Sequence, residues 1–238
     1  MRIINTRHRS QAPEIMDDFN MQGELLKETL HKIAQINRLL GGNRVTLKGV
    51  AALIKDIPPQ QTISILDAGC GNGDMLRQLA DLAVQQQRKF QLTGIDANPA
   101  TVTYARELSQ SYPDIHYYCG NIMESSFPQQ QYDIILCTLT LHHFKEKEIR
   151  HLVKLFRKLA KTGVVINDLH RSALAYRLFQ LVCFAFNLNR MVKTDGQVSI
   201  LRGFKKKELH HLSAELNIGQ YSLQWKWAFR YQWIINNV

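Results

Sequence analysis

Cysteine is scarce, and the four present, Cys70, Cys119, Cys137 and Cys183, are scattered. None belongs to a C-x-x-C pair, which excludes zinc-ribbon and thioredoxin-like readings. Cys119 and Cys137 fall in strand-like runs and read as buried thiols, in a reducing, cytoplasmic setting. No internal repeat and no low-complexity tract interrupts the chain. There is no long basic block either: the densest run is Lys205-Lys206-Lys207. The net charge of +10 is therefore dispersed, and it permits acidic partners without specifying one. The basic stretch "MRIINTRHRSQAPE" has no apolar run behind it and is not read as a signal peptide. The longest apolar segment, Ser172 to Met191, is interrupted by Arg177 and Gln180. It falls short of the ~20 predominantly apolar residues of a spanning helix. It reads as a helix covering a site, with peripheral membrane contact left open.

What is present is a core-forming composition, 45% hydrophobic over 238 residues. Leu26, Leu30, Ile33 and Leu40 recur at helical spacing from about Glu24, and Gly41-Gly42 stops that helix. A second helix is expected from about Thr46 to Ile57, before Pro58-Pro59. Strands and helices then alternate: "TISILDAG", "GDMLRQLADLAVQQQ", "FQLTGIDAN", "PATVTYARELSQ", "IHYYCGN", "YDIILCTLTL", "KEKEIRHLVKLFRKLA", "TGVVINDL". Such alternation means a parallel sheet flanked by helices. A helix near Phe204 to Leu216 and two strands, "YSLQWKWAF" and "YQWIINNV", close the chain. The expected α/β fold is a doubly wound, Rossmann-like, seven-stranded and mostly parallel sheet with an antiparallel last strand. Residues 1–60 form an N-terminal helical cap, and 61–238 a domain with a helical lid inserted at 171–202. The stretch "KTDGQVS", rich in turn formers, is expected to be that lid's hinge.

In such a sheet ligands bind at the carboxyl ends of the strands, so the turn after the first strand is informative. There Asp67 is followed by Gly69, Gly71 and Gly73. Glycine permits positive φ and lets a ligand approach the backbone closely. A dinucleotide site wants G-x-G-x-x-G, and Asp74 stands where the third glycine belongs. The pattern Asp67-x-Gly69-x-Gly71-x-Gly73 instead resembles motif I of the class I S-adenosylmethionine (SAM) methyltransferases. "GIDAN" puts Asp96 and Ala97 at the second strand end, where an acid can accept both ribose hydroxyls. "CGNIME" resembles the segment that brackets the adenine, with Asn121 and Ile122 there. "YDIILCTLTLHHF" resembles motif IV and its double histidine, as in the branch with the ubiquinone and menaquinone biosynthesis methyltransferases. The resemblance covers about Ile63 to Asp168. It implies SAM as cofactor, held by Asp67, Gly69, Cys70, Gly71, Gly73, Asp96, Ala97, Asn121, Ile122 and Thr138, with Asp67 near the cofactor's positive end.

Methyl transfer from a sulfonium is a displacement in which the enzyme mainly aligns the reactants. A phenol or alcohol acceptor also benefits from a base, and histidine suits that role. His142 and His143 follow the fourth strand, one expected to face the pocket and the other to pack on the sheet edge. "NDLHR" adds Asp168, His170 and Arg171 at the fifth strand end. Asp168 could orient an imidazole and Arg171 could hold an anionic acceptor. The alternative is that Asp168 and Arg171 pair with each other and cap the insertion. No metal is expected, since neighbouring histidines are too close in sequence to converge on one ion. No Asn/Asp-Pro-Pro-aromatic run follows the fourth strand, and no RNA-binding motif is appended, which argues against nucleic acid. The expected acceptor is a small lipophilic or aromatic molecule methylated on oxygen. The alternative is an RNA or protein methyltransferase, or a non-catalytic SAM-binding protein.

Overall fold

The computed structural model describes residues 4–124 and 130–237. Two helices, α1 (Glu24–Leu39) and α2 (Gly42–Leu53), precede the alternating region. It consists of β1 (Ile63–Ala68), α3 (Asp74–Gln85), β2 (Phe90–Asp96), α4 (Pro99–Leu108), β3 (Ile115–Cys119), β4 (Tyr132–Thr138), α5 (Glu146–Leu159) and β5 (Ala160–Leu169). Then come α6 (Ala173–Ala185), α7 (Arg190–Arg202), α8 (Lys206–Glu215), β6 (Tyr221–Lys226) and β7 (Arg230–Asn236).

The seven strands form one sheet in the order β3-β2-β1-β4-β5-β7-β6. Only β7 runs against its neighbours. The order reverses between β1 and β4, the position where such sheets open a crevice. β1 is buried apart from the partly exposed Ser64, as expected of a strand covered on both faces. Its register on β4 is fixed in part by Ser64, whose N–H and Oγ both donate to Asp133 at 2.7 Å. One core packs α5 and α8 on the sheet, around Leu152, Phe156 and Trp233. The other packs α2, α3 and α4 on the opposite face, around Val50, Leu76 and Leu79. Helix starts follow local chemistry: Asn98 caps α4 by accepting the Thr101 N–H at 2.9 Å, with Pro99 at the first position.

Three expectations are corrected here. α2 begins at Gly42 rather than Thr46. Gly41, at φ 69°, makes the turn alone, and Gly42 is the residue against which the Arg230 guanidinium lies, 2.7 Å from where a Cβ would stand. The stretch Lys193 to Ser199 is no hinge but the middle of α7. Tertiary contacts override its turn propensity: Asp195 is buried and accepts the Ile15 and Met16 N–H groups at 2.8 and 3.0 Å. Gly196 gives room to the Phe179 ring, which a Cβ would strike. Finally, Cys137 is buried, but Cys119 is exposed because β3 is an edge strand and Cys119 its last residue.

Candidate active site

A single cavity of about 1060 Å³ lies at the carboxyl ends of β1, β2, β4 and β5. It continues under α1, α6 and α7. One half of it is built by the turn after β1. Gly69, Gly71 and Gly73 all have positive φ, at 77°, 53° and 74°. They serve different purposes. A Cβ on Gly69 would strike the Thr140 side chain, and one on Gly73 would strike the Tyr117 ring. At Gly71 the nearest atom to a Cβ would be Leu30 Cδ2 at 3.9 Å, so this residue borders open space. Asp96 holds the turn: Oδ2 accepts the Gly71 N–H at 3.0 Å, and Oδ1 accepts the Asn98 N–H at 3.0 Å. Each carboxylate oxygen keeps accepting capacity for a ligand hydroxyl.

Asp67, at the end of β1, is 2% exposed, and its Oδ1 has no partner. Burial, and then the neighbouring charge of Asp96, push its carboxyl up to about 7. Burial also raises Asp96. Two desolvated acids and one orphaned carboxylate oxygen at a strand end suit a ligand that brings a positive group and a diol. Ala97, Asn121, Ile122, Cys70 and Thr138 line the same half.

The other half is organised around His142. This residue sits on a 3-10 turn, Leu141–His143, just beyond β4. Its Nδ1 is 2.7 Å from Asp168 Oδ1, and its backbone N–H donates to Asp168 Oδ2 at 3.1 Å. An ionised carboxylate can only accept, so Nδ1 carries a proton, and in the neutral ring Nε2 holds the lone pair. Burial pushes Asp168 up, but the facing His142 and the N–H groups it accepts outweigh that and hold it below the usual carboxylate value. His142 Nε2 is buried without a hydrogen-bond partner. Opposite it, at 3.7 Å, stands Glu14 Oε1, which is also buried and without a hydrogen-bond partner. His143 is partly exposed, and its Nδ1 meets Asp17 Oδ1 at 2.7 Å.

The N-terminal segment straps across this half. Arg9 Nη2 donates to the His142 and Phe144 carbonyls at 2.8 and 3.1 Å. Ser199 Oγ donates to Glu14 Oε2 at 2.6 Å, and Arg202 Nη1 to Asp17 Oδ2 at 2.6 Å. Leu26, Leu30, Ile33, Phe179, Val182, Val192 and Ile200 add apolar wall.

Most of the residues expected from sequence meet in this cavity; three do not line it. Gly73 lies outside the lining and serves the packing of Tyr117. Asp168 sits behind His142 rather than in the cavity. Arg171 neither lines the cavity nor pairs with Asp168. It is fully buried, bonded to Glu208 Oε2 at 3.1 Å and to the Thr6 and Gly203 carbonyls at 3.0 and 2.5 Å. The β5 end turns away there, so Arg171 ties α8 and the N-terminus to the sheet. Both histidines of the pair line the cavity, not one. His170 lines it too; burial lowers its pKa, and its Nδ1 accepts from Trp225 Nε1 at 3.2 Å. Of the lid aromatics, Phe179 faces the cavity, whereas Phe184 is 87% exposed. Glu14, Arg9 and Arg202 are additions that the sequence pattern does not single out. The one signal it offers is an acid, Glu14, with Asp17 and Asp18, in an otherwise basic N-terminal stretch.

Glu14, His142 and His143 offer donor atoms within 4.8 Å of one another, a set that could hold a metal ion. The expectation that neighbouring histidines cannot converge is corrected: the tight turn puts their ring centroids 4.3 Å apart. A cation already serves this cluster, however. Arg202 Nη1 is 3.5 Å from Glu14 Oε1 as well as bonded to Asp17.

Residues 65–163 match the methyltransferase domain family. Within those residues the chain carries a SAM-dependent methyltransferase domain. The non-reducing polyketide synthase trt4 of Aspergillus terreus is 30% identical over 139 residues, covering 56% of this chain and 5% of that protein. The demethylmenaquinone methyltransferase of Bacillus licheniformis is 30% identical over 94 residues, 37% of this chain and 39% of that one. The chain thus spans well under half the length of these relatives. Among solved structures, the plantazolicin methyltransferase BamL, in complex with a triazolic desmethylPZN analog and S-adenosylhomocysteine (SAH), has a TM-score of 0.68. It is 16% identical and covers 89% of this chain and 91% of its own, which is a likeness of fold. The Gly71 turn, Asp67 and Asp96 all fall within the matched residues.

Proposed function

We propose that this protein transfers the methyl group of SAM to an oxygen of a small, lipophilic, aromatic acceptor, with no metal required. One observation carries the reading: a single cavity joins the Asp67–Gly71–Asp96 corner to the buried His142–Asp168 pair, with apolar walls between them. Relatives named as a demethylmenaquinone methyltransferase and a ubiquinone biosynthesis O-methyltransferase support a small acceptor.

In this mechanism Asp96 would accept the ribose hydroxyls, and Asp67 would pair with the cofactor's ammonium. Gly71 leaves the space that the cofactor fills. SAM supplies an electrophilic methyl carbon. The acceptor O–H gives its proton to His142 Nε2. Bound SAM would supply that methyl group to the acceptor oxygen and leave as SAH, its sulfur neutral. Asp168 holds the imidazole in the tautomer that can take the proton and stabilises the imidazolium. Glu14, opposite Nε2, adds a second carboxylate for the same charge. The lid helices and the N-terminal strap exclude water and align the oily ring. Incubation with methyl-labelled SAM and a panel of phenols and hydroquinones tests this reading. Labelled ether products are expected. Label recovered on RNA or protein instead, with none on small hydroxyl compounds, overturns it.

A further inference from the structure

α6 is apolar on both sides. Ala175, Phe179, Val182 and Cys183 turn inward, where Cys183 and its neighbours pack with Leu188 and Val192 and Phe179 lies on Gly196. A helix apolar all round is normally buried on every side. Here the other face is bare: Leu174 is 59% exposed, Leu181 63%, Phe184 87% and Phe186 58%. Exposed apolar patches of this kind mark interaction surfaces.

Two further facts identify the occupant. First, the face is continuous with the cavity mouth. Leu178 and Leu181 are exposed and also line the cavity, as do the exposed Phe19 and Trp227. The way in is thus rimmed by apolar side chains and an indole, the side chain that favours the boundary between water and lipid. Second, the charge carried by this segment of the sequence has one sign. From Ser172 to Thr194 there is no Asp or Glu, while Arg190 and Lys193 follow the apolar run. No helix among the described residues is long and apolar enough to cross a membrane.

We propose that the outer face of α6, with Trp227 at its rim, docks on an anionic lipid surface, so that a lipophilic acceptor passes from the bilayer into the cavity. The helix lies in the interface plane, its leucines and phenylalanines among the acyl chains and its basic flanks toward the headgroups. This rests on the reading of a lipophilic acceptor, but its test does not involve turnover. A second copy of the chain is the rival occupant: two such faces could cover each other.

The test is sedimentation of the full chain with vesicles of phosphatidylcholine alone or mixed with phosphatidylglycerol. Binding is expected with the mixed vesicles and to be roughly tenfold or more weaker with the neutral ones. Brominated lipid should quench tryptophan fluorescence in the bound state. The double variant Leu174→Glu/Phe184→Glu changes two side chains outside the cavity lining. It should lose vesicle binding by about tenfold or more while keeping wild-type SAH affinity. Protein that stays in the supernatant with anionic vesicles overturns the proposal. So does a dimer, seen by light scattering, that the double variant dissociates without change in lipid binding. If SAH binding fails in the wild-type protein while vesicles are bound, the methyltransferase reading has failed and the docking surface has not.

Discussion

His142 Nδ1 and Asp168 Oδ1 stand 2.7 Å apart, joining the turn after β4 to the end of β5. Both residues are buried, so the pair is shielded from competing water. Asp168→Asn keeps the shape but replaces an acceptor with a group that can donate, which favours the wrong imidazole tautomer. The expected outcome is a fall in kcat of about 10²–10⁴, in the range for lost acid–base assistance, with SAH affinity nearly unchanged. His142→Asn should fall by a similar factor, and the double variant by no more than either alone. Independent, multiplying losses would show that the two residues do not act as a unit.

This pair is legible in the sequence because strands that pair in the sheet bring the side chains at their ends together. Thr138 lies opposite Asn167 in the β4–β5 register, so the residues that follow each of them must meet. The Asp67–Gly71–Asp96 corner is legible for the same reason. Glu14 is not, because nothing local to it states that it will face a histidine more than a hundred residues away. Its position depends on Asp195, Ser199 and Arg202 of α7, and α7 itself is masked in the sequence by its turn-forming Asp195-Gly196. Local propensity loses there to a buried carboxylate and a close ring contact.

The glycines of the first turn should separate by measurement. Gly71→Val fills space that the unliganded protein leaves open. It is expected to abolish SAH binding in calorimetry, at a cost in stability of about 1–2 kcal/mol for a side chain at positive φ. Gly73→Ala should do the opposite. Its Cβ collides with Tyr117, whose hydroxyl is held 2.9 Å from Ser109 Oγ. The expected loss is about 2–3 kcal/mol of stability, with SAH still bound by the folded fraction. Normal SAH binding by Gly71→Val would move the cofactor away from this turn.

Arg171 is expected to behave as a structural residue. Arg171→Met removes a buried guanidinium from Glu208 and from the carbonyls of Thr6 and Gly203. Stability should fall by about 3–5 kcal/mol in denaturant titration, since the partners are left unpaired. Acceptor KM, measured on the folded fraction, should not change. A selective rise in KM for anionic acceptors would return Arg171 to the site.

Dialysis against a chelator should leave methyl transfer intact, because the Arg202 guanidinium already lies beside Glu14 and Asp17. Added zinc should not raise kcat. A loss of activity on chelation, restored by a divalent ion, would assign Glu14, His142 and His143 as ligands after all.

The last expectation concerns pH and rests on Asp67. Its carboxyl is raised to about 7 in the unliganded protein, first by burial and then by Asp96. For an acid with a raised folded-state pKa, the protonated form is the one the fold favours. Its contribution to stability is therefore fully present below the unfolded value of about 4 and is lost as pH rises through about 7. The cofactor and its product both carry an ammonium group, and that group favours the ionised carboxylate instead. Binding must then release a proton wherever Asp67 starts protonated. SAH affinity should weaken by about tenfold per pH unit as pH falls from about 7 toward 5, by linkage. Calorimetry at pH 6 in buffers of different ionisation enthalpy should show release of close to one proton. Asp67→Asn removes the titrating group. That variant should bind SAH more weakly at pH 8 and with a flattened pH dependence between 5 and 7. A wild-type affinity independent of pH across this range, or an unchanged slope in Asp67→Asn, would detach Asp67 from the cofactor's ammonium.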